Sequence, residues 1–189
     1  MTLIAPIVEG HGEETAVPEL IRRIAYEIGV FDVKVAKAIR VHRGALVNRS
    51  ELERAVRLAS FKAAAVLVLL DADGDCPAQL GPRLQLRAEA AAAGVAVSVV
   101  VAKEEFEAWF IAAAQSLRGQ RGLAPNLLPP QDPEAIVGAK EWLTARRVDG
   151  QAYKETLDQV ALAAVVDLGA ARSAESFDKF YREVVRLLG

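Results

Sequence analysis

The chain has 189 residues, of which 52% are hydrophobic and 25% are charged, and this composition excludes a largely disordered protein. The 25 acidic residues slightly outnumber the 23 Lys and Arg residues, so the formal net charge of −2 gives no overall attraction for nucleic acid. A single cysteine excludes both an internal disulfide and a cysteine-rich zinc site.

The N-terminal segment has neither the basic residues nor the long apolar run of a secretory signal. The longest apolar stretches, residues 63–70 and 95–102, have eight residues each, which is too short for a membrane-spanning helix. We therefore expect a cytoplasmic protein that does not contact a membrane.

Strand and helix patterns alternate along the first 117 residues. The apolar run 4–8 predicts a buried strand, and apolar residues at helical spacing follow over 15–28. Residues 33–41 alternate between apolar and basic, which predicts a strand near a sheet edge. Ser50 and Glu53 form a capping-box pattern that predicts the start of the next helix. Two strands and two helices are predicted after it: strands 64–70 and 95–101, and helices 80–93 and 104–117.

This alternation predicts an α/β fold with a mostly parallel sheet of about four strands and helices on both faces. A loop rich in Gly, Pro and Asn follows over residues 118–133, and after it only helical patterns remain. Those helices are predicted over 133–143, 154–165 and 176–188. We therefore predict a core domain of residues 1–117 and a helical extension of residues 118–189 that packs on it.

Acidic residues follow three of the predicted strands. They are Glu9 after the first strand, Asp71, Asp73 and Asp75 after the third, and Glu104, Glu105 and Glu107 after the fourth. Because the carboxyl ends of parallel strands form the ligand-binding edge of an open sheet, we expect these acids to converge. Carboxylate oxygens suit Mg²⁺ or Mn²⁺. Each cluster also has an alternative interpretation. Glu9 could belong to an ordinary strand exit, and the Asp cluster could be a solvated turn. The glutamates after the fourth strand could be first-turn acids that a helix dipole favours.

Two motifs resemble the signature of the Toprim superfamily. In that superfamily a Glu ends the first strand and an Asp-x-Asp follows a later one, which matches the sequences of residues 8–13 and 70–75. The whole chain also resembles a bacterial family of unknown function with a Toprim-like core. Further stretches carry this resemblance: residues 40–44, 75–78, 105–110, 139–142 and 158–159.

The resemblance implies a compact, Rossmannoid α/β core that binds Mg²⁺ or Mn²⁺. Among Toprim proteins the chain is most similar to the overcoming-lysogenization-defect nucleases, because Glu13 supplies a second acid after Glu9. Those nucleases often act beside an ATPase. Since this sequence has no Gly-x-x-x-x-Gly-Lys-Ser/Thr loop, an ATPase would have to be a separate polypeptide.

The resemblance also suggests roles for individual acids. Asp71 and Asp73 are expected to be direct metal ligands, and Glu9 is expected to be a ligand or a general base. Glu13 and Glu107 are candidate ligands of a second ion, since two metal ions about 4 Å apart serve many phosphodiester-cleaving sites.

Basic residues near the matched motifs are candidates for contact with a substrate phosphate. His42 is the candidate proton donor, with a loop-capping role as its alternative. Lys103 is a further catalytic candidate. Arg43 and Gly10 are candidate substrate-binding residues, and for Arg43 the alternative is an ordinary surface charge.

We therefore expect a Mg²⁺- or Mn²⁺-dependent nuclease or related phosphoryl-transfer protein that acts on nucleic acid with a separate ATPase in defence or repair. The alternative is a non-catalytic module whose acids hold a structural ion and whose helical extension docks an ATPase. A flavodoxin-like receiver domain is a third reading, in which Lys103 would be the lysine that follows the last strand.

Overall fold

Short runs rich in Val, Leu and Ile form one parallel sheet in a computed structural model of the chain, which describes residues 2–189. Met1, with which the predicted core domain begins, lies outside the described residues. The strands are β1 (Thr2–Val8), β2 (Val33–Val35), β3 (Ile39–Arg40), β4 (Ala65–Asp71) and β5 (Ala96–Ala102). Their order is β2-β1-β4-β5, with β3 also paired to β1, so the α/β class and the parallel sheet are confirmed.

The sheet has five strands because the strand predicted over residues 33–41 is divided into two. Val35 pairs with Ile4 and Ile39 pairs with Ile7, so four residue steps on this segment oppose three on β1. The extra residue interrupts the hydrogen-bond ladder as a bulge does. Both halves pair only with β1 among the described strands, which places them at the predicted sheet edge.

Helices surround the sheet on both faces. They are α1 (Glu13–Glu27), α2 (Arg43–Asn48), α3 (Glu51–Ser60), α4 (Pro77–Ala91), α5 (Ala108–Ala112), α6 (Ala139–Thr144), α7 (Glu155–Ala163), α8 (Leu168–Ala171) and α9 (Glu175–Leu188). Short 3-10 turns cover Ala114–Leu117, Gln120–Gly122 and Pro133–Ala135. Among residues 2–189, no helix combines the length and apolar character needed to span a bilayer.

Three local predictions differ from the structure. Ser50 precedes α3 but makes no side-chain hydrogen bond to it, so the predicted capping box is wrong. Helix α2 was not predicted, and it begins after His42, whose ring accepts a hydrogen bond from the backbone N–H of Gly44. The helix predicted from residue 104 begins only at Ala108. Glu104 has a φ of +60°, and a residue in this left-handed region cannot open a right-handed helix.

The two faces of the sheet carry separate hydrophobic cores. One lies beneath α2, α3 and α4, and the other beneath α1 and the helices that follow β5. In the second core, Trp109 packs edge-to-face on Phe177 and at a tilt against Phe180, both from α9. The predicted helical extension therefore supplies much of one core face, and the division into residues 1–117 and 118–189 stays a prediction.

The buried carboxylate of Asp158 links separate segments of the helical extension. Asp158, which is 1% exposed, lies 2.8 Å from Arg121 Nε and 3.0 Å from Arg147 Nη1. Its Oδ2 also accepts a hydrogen bond from the backbone N–H of Lys154. Asp149 pairs with the same Arg147 at 2.6 Å but is more exposed.

We expect Asp158→Ala to lower the free energy of unfolding by about 3 kcal/mol, the low end for a broken buried ion pair. The variant removes the buried carboxylate shared by Arg121 and Arg147, while Asp149 still pairs with Arg147. Urea denaturation of the wild type and the variant measures this loss. Asp149→Ala is the matched control, since it removes the more exposed partner of Arg147, and it should cost clearly less. Equal losses in the two variants would show that burial of Asp158 is not the decisive factor.

Gly12 marks a close approach between the turn after β1 and helix α7. A Cβ atom at this position would lie 2.2 Å from Gln159 Oε1 and 2.5 Å from the carbonyl oxygen of Glu155. The second contact is with backbone, which cannot move aside by a simple side-chain rotation.

Gly12→Ala should therefore destabilise the protein by roughly 1–3 kcal/mol, as overpacking of a core does. The control is Gly81→Ala within α4, where the nearest atom to a new Cβ is Val101 Cγ2 at 3.7 Å. There the better helix propensity of alanine should raise stability by about 0.5–1 kcal/mol. Chemical denaturation of both variants tests the contrast, and a Gly12→Ala protein as stable as the wild type would contradict it.

Candidate functional site

Acidic side chains from three neighbouring strands meet at one edge of the sheet. Glu9 follows β1, Asp71 is the last residue of β4, and Glu104 lies shortly after β5. Because β1, β4 and β5 are adjacent and parallel, their carboxyl ends open on the same side. The cavity there, called the acidic cavity below, has a volume of about 370 Å³. It is lined by Glu9, His42, Arg43, Asp71, Asp73, Glu104, Glu105 and Lys140.

The carboxylates of this edge interact strongly. Burial raises the pKa of Asp71 well above its usual range, and the charges of Glu13, Glu9 and Glu107 raise it further. Burial and the charge of Glu9 raise the pKa of Glu13 to about 8. Burial also raises the pKa of Glu9, although the backbone amide of Asp71 and the charge of Arg43 oppose this effect. Such a cluster favours a cation, because a cation relieves the mutual repulsion.

Glu9 keeps an unused ligand atom. Its Oε2 is buried and has no hydrogen-bond partner. Most buried polar atoms in folded proteins are paired, since an unpaired one costs about 1–3 kcal/mol. The Asp71 carboxylate beside it is held by one hydrogen bond of 2.8 Å, from the backbone N–H of Phe106 to Oδ1. Glu9 and Asp71 are therefore the two carboxylates best placed to bind a ligand in the acidic cavity.

Glu13 supports the turn after β1. It is 4% exposed, and its Oε2 accepts hydrogen bonds from the backbone N–H groups of Glu9 and Gly10, both at 3.3 Å. Gly10 leaves room for this arrangement, because a Cβ there would lie 2.8 Å from Glu13 Oε1. The structure thus gives both residues a part in shaping the turn that presents Glu9.

Glu107 lies behind the acidic cavity, with one oxygen hydrogen-bonded and the other, which receives no hydrogen bond, ion-paired. It is fully buried. Its Oε1 accepts a hydrogen bond of 2.7 Å from Gln159 Nε2, and its Oε2 lies 3.0 Å from Lys140 Nζ. The ammonium group of Lys140 also lies 3.0 Å from Glu105 Oε2. Although burial would lower the pKa of Lys140, the Glu107 and Glu105 carboxylates raise it well above its usual range.

Arg43 shapes the loop that follows β4. Its Nε donates a hydrogen bond of 3.0 Å to the carbonyl oxygen of Asp71, and its Nη2 donates to the carbonyl of Ala72 and to Asp75 Oδ2, both at 2.5 Å. This loop carries Asp73 in a left-handed conformation with φ of +47°. Most of the hydrogen bonds of Arg43 thus position the Asp loop, and its predicted contact with a substrate phosphate stays a prediction.

The two other basic candidates lie in different places. His42 lines the acidic cavity and caps α2, with Nδ1 accepting from the backbone N–H of Gly44 at 3.3 Å. The loop-capping alternative is therefore present in the structure, while the ring remains at the cavity. Lys103 is exposed and lines a separate cavity of about 640 Å³ with Cys76 and Lys179. The structure does not bring Lys103 together with the acids.

Strained backbone adjoins the acids. Asp73 and Glu104 both have positive φ, at +47° and +60°, and both line the acidic cavity. Non-glycine residues in the left-handed region cost free energy and concentrate at functional sites.

The donor chemistry of this edge fits a hard divalent cation. Within residues 2–189, no three or more His, Cys, Asp and Glu side chains stand so that together they could hold a metal ion. Mg²⁺, however, is commonly held by one or two carboxylates, with waters and a substrate phosphate completing its shell. Glu9 and Asp71 are the candidates for that smaller requirement, because they line one cavity and Glu9 Oε2 has no hydrogen-bond partner. Asp73 lines the same cavity from the loop after β4.

Sequence reasoning missed the parts played by Glu105, Lys140 and Gln159. All three lie in stretches that carry the resemblance, but their spacing in the sequence reveals no contact. Glu105 accepts a hydrogen bond of 2.8 Å from the backbone N–H of Ala139, so it anchors the helix that carries Lys140. The sequence feature that could have indicated these roles is the presence of a lysine and a glutamine in helical stretches that carry the family resemblance.

Comparison of the chain with known proteins identifies one family, whose model covers the whole acidic cavity. No curated protein and no solved structure matches the chain. A family model described as "Domain of unknown function (DUF4276)" matches residues 8–184, a span that contains every residue lining the acidic cavity. Because this match covers almost the whole chain, the predicted membership of a family of unknown function is confirmed, and the chain belongs to DUF4276.

Proposed function

We propose that the chain is a Mg²⁺- or Mn²⁺-dependent phosphoryl-transfer protein that cleaves phosphodiester bonds of nucleic acid. The observation that carries the proposal is the pair Glu9 and Asp71, which lie at the ends of neighbouring parallel strands and line one cavity. One oxygen of Glu9 is buried there without a partner. The proposal includes a Toprim-like relationship for the core, which is supported by the sequences of residues 8–13 and 70–75.

The metal would be held by Glu9 and Asp71, with waters and a substrate phosphate completing its shell, while Asp73 lines the same cavity from the loop after β4. When bound, such an ion supplies charge neutralisation at the phosphate and lowers the pKa of a coordinated water. Arg43 keeps the loop of Asp73 in place through its bonds to the carbonyl groups of Asp71 and Ala72. The turn hydrogen bonds of Glu13 fix where Glu9 leaves β1.

His42 is the proposed proton donor to the leaving oxygen. It stands at the rim of the acidic cavity, and its cap on Gly44 uses Nδ1. This leaves Nε2 as the ring nitrogen for proton transfer, a task suited to an imidazole near neutral pH.

We further propose that nucleic acid binding depends on a separate ATPase partner in the cytoplasm, in a defence or repair pair. The formal net charge of −2 does not attract a polyanion, so a partner would supply the electrostatic attraction. The sequence contains no Gly-x-x-x-x-Gly-Lys-Ser/Thr loop of its own.

The first test is calorimetric titration of the metal-free chain with Mn²⁺. Wild-type protein should bind Mn²⁺, and Asp71→Asn should weaken binding at least about tenfold, because a ligand charge is removed while side-chain size is kept. Asp132→Asn is the matched control. Asp132 is exposed and does not line the acidic cavity, so this variant should bind like the wild type.

Cleavage is then assayed on labelled single-stranded DNA, duplex DNA and RNA with Mn²⁺ or Mg²⁺, with and without an ATPase encoded beside the chain. We expect metal-dependent cleavage that Asp71→Asn abolishes and Asp132→Asn retains. A wild type that binds no Mn²⁺ overturns the proposal. Mn²⁺ binding without cleavage under every condition would overturn the enzymatic part and favour the non-catalytic module.

A further inference from the structure

We infer that the ammonium group of Lys140 takes the place of a second metal ion, so that this site holds a single divalent ion. The inference rests on the proposed function and deepens it. It concerns the two acids that the resemblance assigns to a second ion, Glu13 and Glu107.

Lys140 stands where a second cation would be needed. Its Nζ lies 3.0 Å from Glu107 Oε2 and 3.0 Å from Glu105 Oε2, so it bridges the carboxylates that follow β5. Lys140 also lines the acidic cavity together with Glu9 and Asp71. A fixed positive charge therefore already compensates this side of the acid cluster.

Glu107 is not available to a metal without a large rearrangement. The residue is fully buried, Gln159 Nε2 donates to its Oε1, and Lys140 occupies the position beside its Oε2. An ion at Glu107 would have to displace the lysine and leave two like charges close together. Breaking a buried ion pair in this way costs more than the exposed equivalent.

Glu13 is engaged in a different manner. Its Oε2 accepts two backbone hydrogen bonds, from Glu9 and Gly10, and it is not among the residues that line the acidic cavity. With Glu13 and Glu107 both occupied, Glu9 and Asp71 remain for one ion. Within residues 2–189 no three or more ligating side chains could together hold a metal ion, which agrees with a single ion held by two carboxylates.

The position of Lys140 is built into the fold. Glu105 Oε1 accepts a hydrogen bond from the backbone N–H of Ala139, at the start of α6, while its Oε2 pairs with Lys140. Gly138 precedes this helix with a φ of +76°, a turn that favours glycine. One carboxylate thus fixes both the helix and the lysine that it carries. An ammonium group has three donors, so Lys140 can also contact a substrate phosphate in the cavity.

The test is the Mn²⁺ stoichiometry, measured by calorimetry and by metal analysis of the protein after gel filtration. Wild type and Lys140→Arg, which keeps the charge, should each bind one Mn²⁺ per chain. Lys140→Ala removes the positive charge that pairs with Glu105 and Glu107. This variant should therefore bind two Mn²⁺ ions per chain. Lys103→Ala is the matched control, because Lys103 lines the other cavity, and it should bind one.

Electron paramagnetic resonance of the wild type with excess Mn²⁺ keeps the test decisive if Lys140→Ala fails to fold. We expect the signal of an isolated ion, whereas two ions about 4 Å apart would give a spin-coupled signal. Two ions in the wild type, or one ion in a folded Lys140→Ala protein, would overturn the inference and leave the proposed function standing. No ion in the wild type would overturn the proposed function itself.

Discussion

Strand β4 pairs in parallel with β1 on one side and with β5 on the other. Hydrogen bonding between these three strands brings their carboxyl ends to one edge of the sheet. The chain then places Glu9, Asp71 and Glu104 just where the strands stop. Residues that lie tens of positions apart in sequence therefore line one cavity. Any chemistry at this edge is a consequence of that alignment.

Bringing acids together costs free energy, and the fold offsets the cost with groups from distant segments. Glu13 is stabilised by backbone N–H groups, Asp71 by the amide of Phe106, and Glu107 by Lys140 and Gln159. The compensation is uneven, because neither Glu9 Oε2 nor Glu107 Oε2 receives a hydrogen bond, but Glu107 Oε2 lies 3.0 Å from Lys140 Nζ. Glu9 Oε2 is therefore the atom on which the proposed ligand would bind, whereas Glu13 and Glu107 are engaged by other parts of the fold.

The segment after β5 links the core to the helical extension. Phe106 and Trp109 belong to the core beneath α1, and Trp109 packs on Phe177 and Phe180 of the last helix. In the same segment, Glu105 contacts Lys140 of α6 and Glu107 contacts Gln159 of α7. The helical extension thus contributes side chains to the site as well as apolar surface to the core.

The α/β class, the parallel sheet and the strand ends that carry acids could all be predicted from the sequence. The periodicity of apolar residues and the positions of charged residues are local properties of a chain. The sequence did not reveal the bulge between β2 and β3, the late start of α5 or the missing cap at Ser50, which depend on pairing register and backbone conformation. The sequence did not show that Glu9 and Asp71 line the cavity while Glu13 and Glu107 are engaged by other groups. The tertiary structure shows this difference. The reason is physical: whether a carboxylate is open to a ligand depends on which donors fold against it, and the donors Lys140 and Gln159 come from helices far along the chain.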